Sequence, residues 1–167
     1  IPKDILYIVP EIVREKEYII AFKKDADGIH LAVNDPSNKE RLAQFNKRVD
    51  EDVIIYFADE ISFNAIVGSS NDNKQDSNSF NEFLKEVLKD TDVKLEAEKI
   101  PIIEMVDKML DYAYENKTSD VHIEPYEKKS TIRFRIDGIL HDIAELPIQV
   151  HQLVVSRLKI LSKMRTD

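Results

Sequence analysis

No cysteine occurs anywhere in the 167 residues, which excludes disulfides and thiolate metal ligands and suits a reducing compartment. Glycine is almost as scarce, with three in the whole chain. Neither a G-x-x-x-x-G-K-[ST] loop nor a G-x-G-x-x-G fingerprint is present, so these residues hold no backbone cradle for phosphates. On their own they are not expected to hydrolyse a nucleotide. No apolar run is long enough to span a bilayer, and no basic-then-apolar segment opens the chain, so direct membrane insertion is not expected. We take the start at Ile1 rather than Met as the mark of a trimmed chain.

Excess positive charge is also lacking. The formal net charge is −8, and a general nucleic-acid binder needs clustered Lys and Arg to displace counterions. There is no G-x-x-G clamp or aromatic RNP pattern either, and no nucleic-acid partner is expected. The four histidines, His30, His122, His141 and His151, show no metal-ligand spacing and are expected as surface or capping residues, with no metal site. Ser119, Asp120 and His122 are close in sequence, but neighbours on a strand point to opposite faces, so the run is not a catalytic triad. No acid–base pair stands out among the many carboxylates, and no catalytic residue is assigned here.

What is present suffices for a core, since 43% of the residues are hydrophobic. The expected fold class is α+β: two small mixed domains, residues 1–67 and 80–167, joined by a flexible linker over 68–79. In the first domain Asp4 caps a short helix and Pro10 opens another, EIVREKE, with Ile5, Ile8, Val9, Ile12 and Val13 at helical spacing toward the core. A hairpin follows, YIIAFKK and IHLAVND around Asp25-Ala26-Asp27-Gly28. Asp35-Pro36 breaks the strand, and a helix runs to about Arg48 with Leu42 and Phe45 inward. DVIIYFA is nearly continuous in apolar residues and is expected as a central strand. Asp59 then caps EISFNAIV.

Gly68 to Ser79, GSSNDNKQDSNS, contains no apolar residue and reads as the linker; a long surface loop within one domain is the alternative. Beyond it, FNEFLKEVLKD forms an amphipathic helix carrying Phe80, Phe83, Leu84, Val87 and Leu88. Pro101 opens a longer helix with Ile102, Val106, Met109, Leu110 and Ala113 as its stripe. An antiparallel three-stranded meander over 120–146 follows. Pro147 then begins a closing helix with Leu153, Val154, Leu158 and Leu161 inward and Arg157, Lys159 and Lys163 outside.

The centre of this domain is Ser119 to Gly138, SDVHIEPYEKKSTIRFRIDG, which closes on Asp137-Gly138, a turn signal leading into a third strand. A period of two puts Ile132, Phe134 and Ile136 on one face of a strand and Arg133 and Arg135 on the other. Two guanidinium groups leaving a sheet together suit bidentate phosphate recognition. They equally suit cross-strand salt bridges, with Asp137 or Glu124 as partners. Charge reverses here: residues 128–167 carry eight basic against four acidic side chains, whereas everything before them is net acidic.

From Pro101 onward the chain closely resembles the segment that precedes the ATPase core in type II secretion and type IV pilus assembly ATPases. An SD-[IV]-H-I-E-P block, an R-F-R-[IV]-D-G block and an S-R-[LIV]-K-[IV] block stand in the family's order and spacing. The first domain resembles the family's N-terminal domain more loosely, through its hairpin, LAVNDP and the following strand. The resemblance implies a cytoplasmic enzyme, peripheral at the inner face of the cell membrane, that works as a homo-hexamer with ATP and Mg in its own ATPase domain. It implies that the first domain docks on an inner-membrane platform or cytoplasmic scaffold protein. It also implies that basic side chains of the second domain approach the nucleotide phosphates, and Arg133, Arg135 and Arg157 are the candidates carried over, with His141 a weaker one.

Walker A, Walker B and the family's Asp- and His-bearing boxes are expected beyond Asp167, so no tight nucleotide binding and a monomer are expected of these residues alone. No Arg-Leu-Gly repeat of the kind with which some relatives bind cyclic di-GMP is present, and that ligand is not expected. The competing expectation, from another class, is a non-enzymatic protein-interaction adaptor.

Overall fold

The computed structural model describes residues 1–35, 37, 39–70, 80–89 and 100–166. Contacts divide the chain into two compact units, Ile1–Asp76 and Ser77–Asp167. The described residues form seven helices and two three-stranded sheets.

The first unit holds α1 (Lys3–Leu6), α2 (Glu11–Glu17), β1 (Ile19–Asp25), β2 (Gly28–Val33), α3 (Lys39–Arg48), β3 (Val53–Phe57) and α4 (Glu60–Ser70). Pro2 and Pro10 sit immediately before α1 and α2, where a missing N–H costs nothing. Leu6 of α1, Ile12 and Val13 of α2, and Val9 in the turn between them reach the core, while Ile5 and Ile8 are only half-buried. The β1–β2 hairpin turns at Asp25–Gly28, where the Asp25 side chain accepts a hydrogen bond from the Asp27 N–H at 3.0 Å. Leu42 and Phe45 of α3 are buried as their spacing predicts.

Gly28 is irreplaceable in this turn. Its φ is +125°, and a Cβ there would lie 2.1 Å from the Asp52 carbonyl oxygen, the same atom that accepts a hydrogen bond from Ile29 N at 2.8 Å. Gly28→Ala is therefore expected to destabilise the first unit by about 2 kcal/mol, read by thermal unfolding.

The strand order is β1-β2-β3, with β1 antiparallel and β3 parallel to β2. This corrects the expectation that DVIIYFA is central. β2 is the central strand and all six of its residues are buried. β3, reached by a crossover through α3, lies at the edge, half-buried to exposed. Continuous apolar character does not distinguish a strand covered on both faces from an edge strand, because sheet order is set by the crossover.

Asp59 caps α4: its carboxylate accepts from the Ser62 N–H at 3.0 Å and the Ser62 hydroxyl at 2.7 Å. Phe63 of this helix packs with Leu6, Ile20 and Ala32. The helix continues to Ser70, three residues past its expected end, since propagation needs only one further backbone bond per residue. The remainder of the expected linker, 71–79, lies outside the described residues.

The second unit holds α5 (Phe80–Lys89), α6 (Ile102–Glu115), β4 (Asp120–Pro125), β5 (Lys129–Ile136), β6 (Ile139–Pro147) and α7 (Ile148–Leu161). The three strands form an antiparallel meander in the order β4-β5-β6. The β5–β6 hairpin closes on Asp137 and Gly138, both at positive φ (51° and 84°), as a two-residue turn matched to strand twist requires. Phe80, Phe83 and Leu84 of α5 are buried.

Two helical stripes are rotated from their expected positions. In α6 the buried residues are Met105, Val106, Met109, Tyr112 and Ala113, and Leu110 is exposed. Tyr112 turns inward to place its ring 6.1 Å from that of Phe134. In α7 the buried residues are Val150, His151 and Val154, whereas Leu153 and Leu161 are exposed. Each helix carries more apolar residues than one face needs, and the sheet decides which of them are covered.

Candidate functional site

β5 supplies the geometry. Ile132, Phe134 and Ile136 are completely buried beneath the helices, so Arg133 and Arg135 leave the opposite face together. Register then decides their neighbours. Across to β4, Arg135 stands opposite Asp120 and Arg133 opposite His122; across to β6, Arg133 stands opposite Asp142. A register shift between Ile132 and Arg133 is what brings Asp142, rather than Ile143, beside Arg133.

Each guanidinium is held by carboxylates. Arg133 Nε donates to Asp142 Oδ1 at 2.7 Å, and its Nη1 lies 3.5 Å from Glu124 Oε1. Arg135 Nε donates to Asp120 at 3.2 Å, and its Nη1 donates to the Gly138 carbonyl at 3.2 Å. His122 stands between two of these acids, hydrogen-bonded to Asp120 and 3.8 Å from Glu124. Glu124 also accepts from the Tyr126 hydroxyl at 2.9 Å. Of the two partners expected for the arginines, Glu124 is present, and the Asp137 position belongs to the hairpin turn. Asp120 and Asp142 were missed, because cross-strand register and a bulge cannot be counted from residue spacing.

The charges tune one another. Desolvation pulls the Arg133 guanidinium down, but hydrogen bonding and attraction from Asp142, then Glu124, outweigh it and the net shift is upward. The Asp120 carboxyl is held below its ordinary 3.8, first by the Ser119 hydroxyl, then by His122 and Arg135, against desolvation. A carboxylate depressed in the folded state contributes stability in full above its unfolded pKa and loses it as pH falls through the folded value. The second unit is therefore expected to keep its melting temperature down to about pH 5 and lose it progressively below. Asp120→Asn should flatten that acid limb, measured by thermal unfolding between neutral and acid pH.

Arg157 is elsewhere. It projects from α7, in the helical layer, where its Nη2 lies 3.6 Å from Asp107 Oδ1 of α6. The structure thus brings Arg133 and Arg135 together on one sheet face and keeps Arg157 on the other side of the sheet.

The histidine expectation is corrected for three of the four. His30, His141 and His151 are buried rather than at the surface. His30 bridges Asp25 at 3.0 Å and the Tyr56 hydroxyl at 3.1 Å, and His151 Nδ1 pairs with the buried Ser130 hydroxyl at 2.9 Å. His30 has a partner at each ring nitrogen and so is buried without an unmade hydrogen bond, and such partners are set by tertiary structure. Among the described residues no group of three His, Asp or Glu is placed to hold a metal ion, and no helix is long and apolar enough to cross a membrane.

Residues 95–167 match the family described as type II/IV secretion system protein. Over 96% of its length the chain is 28% identical to the type IV pilus assembly ATPase PilB of Myxococcus xanthus, covering 30% of that protein. Over 93% of its length it is 28% identical to PilB of Pseudomonas aeruginosa, covering 29%. Over 48% of its length it is 44% identical to the type II secretion system protein E of Pectobacterium carotovorum, covering 16%. The chain therefore spans about 30% or less of the length of these relatives.

Proposed function

We propose that the chain is the N-terminal coupling part of a hexameric ATPase that powers protein secretion or type IV pilus assembly at the inner face of the cell membrane. In this reading the first unit docks on an inner-membrane platform or scaffold protein. The second unit closes on an ATPase domain that binds ATP and Mg, with Arg133 and Arg135 reaching the nucleotide phosphates from the open sheet face and Arg157, on the helical side, reaching phosphate only through a different surface of the unit.

The observation that carries the proposal is the pairing of Arg133 and Arg135 on one half-exposed sheet face, each held by carboxylates. A carboxylate and a phosphate offer the same planar pair of acceptor oxygens to a guanidinium, so one can replace the other without moving the arginine far. The test is ATP hydrolysis by the intact enzyme with the three arginines replaced singly, beside binding of this chain to the cytoplasmic domain of the membrane partner.

A second reading rests on the same ion pairs. All three candidates, Arg157 included, have a carboxylate within 4 Å. If those bridges are the whole role of the arginines, the chain is a non-enzymatic adaptor and arginine removal leaves hydrolysis unchanged.

A further inference from the structure

The outer edge of β3 is built to accept another strand. Ile29 N donates to Asp52 O at 2.8 Å and Ala58 N donates to Val33 O at 2.9 Å. In a parallel ladder, residues alternate between pointing their backbone groups at the neighbour and pointing them away. Asp52 and Ala58 fix the phase: Ile54 and Tyr56 also face β2, and Val53, Ile55 and Phe57 direct N–H and C=O outward. Among the described residues no strand pairs with that edge.

Side chains along the edge are apolar and open. Ile55 is 41% exposed, Tyr56 44%, Phe57 68%, and Ile61 at the start of α4 83%. Val53–Phe57 contains no Lys, no Pro and no charge, the usual devices that stop an edge from pairing. Carboxylates bracket it instead: exposed Asp50, Glu51 and Asp52 precede it and exposed Asp59 and Glu60 follow. Of these, Glu51 is paired with Lys24 at 2.6 Å, and Asp59 holds Ser62.

We propose that this edge binds an extended segment of a partner protein by strand addition, and that the segment is apolar at alternate positions with Lys or Arg at both ends. The backbone ladder supplies affinity, and the acidic brackets select the basic flanks. The proposal rests on the reading of the first unit as a docking module, and it specifies where and how that module docks.

The test uses the isotope-labelled chain, amide exchange and a synthetic peptide of alternating Val and Thr with Lys-Lys at each end. In the free monomer the Val53, Ile55 and Phe57 amides are expected to exchange fast. With the peptide they shift and slow by about tenfold or more. A Glu-ended peptide is expected to bind about tenfold more weakly. Ile55→Pro removes an outward N–H and no ladder bond, so it keeps the fold and abolishes the response; Ile55→Lys serves as a second variant if the first unfolds.

Slow exchange at these amides in the free monomer would show the edge already covered by this chain and overturn the proposal. An edge-to-edge dimer, a peptide response elsewhere or none at all would do the same. Binding of the membrane partner's cytoplasmic domain separates this proposal from the reading beneath it. If Ile55→Pro leaves that binding intact, strand addition fails and docking stands; if the unaltered chain does not bind, docking itself fails.

Discussion

Alanine in place of Arg133 is expected to lower ATP turnover by the intact enzyme about 10²–10³-fold while leaving thermal unfolding of this chain nearly unchanged. The two halves of that result have different causes. Stability survives because Arg133 is bonded to exposed Asp142 and half-exposed Glu124 on an open sheet face, where ion pairs contribute little. On the proposed phosphate role turnover falls, because a guanidinium at a transferred phosphate stabilises charge that develops in the transition state.

Arg133→Lys keeps the charge and loses the planar fork, so its turnover should lie between the two. Asp142→Ala releases Arg133 from its shortest bond and is expected to leave turnover at least as high as in the unaltered enzyme. Turnover within about twofold of the unaltered enzyme for Arg133→Ala, Arg135→Ala and Arg157→Ala alike would remove the phosphate role and leave the adaptor.

The largest expected loss of stability comes from the other face of the same strand. Phe134 is 0% exposed and sits against Tyr112 of α6. Phe134→Ala removes a ring that the surrounding sheet and helices cannot collapse to refill, at a cost of about 3–5 kcal/mol. For a unit of this size the melting temperature should fall by more than about 12 °C. Phe57→Ala on the exposed edge of the first unit should cost no more than about 0.5 kcal/mol, which makes it the matched control. Calorimetry of both variants reads the contrast, and a fall of only a few degrees for Phe134→Ala would show that the meander is not packed as described.

The arginine face and the Phe134 face were legible together because both follow from one local rule. A strand alternates sides, so Ile132, Phe134 and Ile136 had to part from Arg133 and Arg135 whatever surrounded them. The hairpin at Asp137-Gly138 was legible for the same reason: two adjacent positive φ values need those residue types. The histidines were not legible. Nothing near His151 in sequence signals Ser130, twenty-one positions earlier, and nothing near His30 signals Tyr56.

Sequence by itself determined the order of helices and strands, the class of the fold and the side of β5 from which two arginines leave, since periodicity and turn chemistry are properties of adjacent residues. Tertiary structure alone decided which strand became the edge, which apolar positions of α6 and α7 were covered, and which carboxylates hold Arg133 and Arg135. Those choices depend on crossover, register and a bulge, through which residues far apart in the chain compete for the same neighbours.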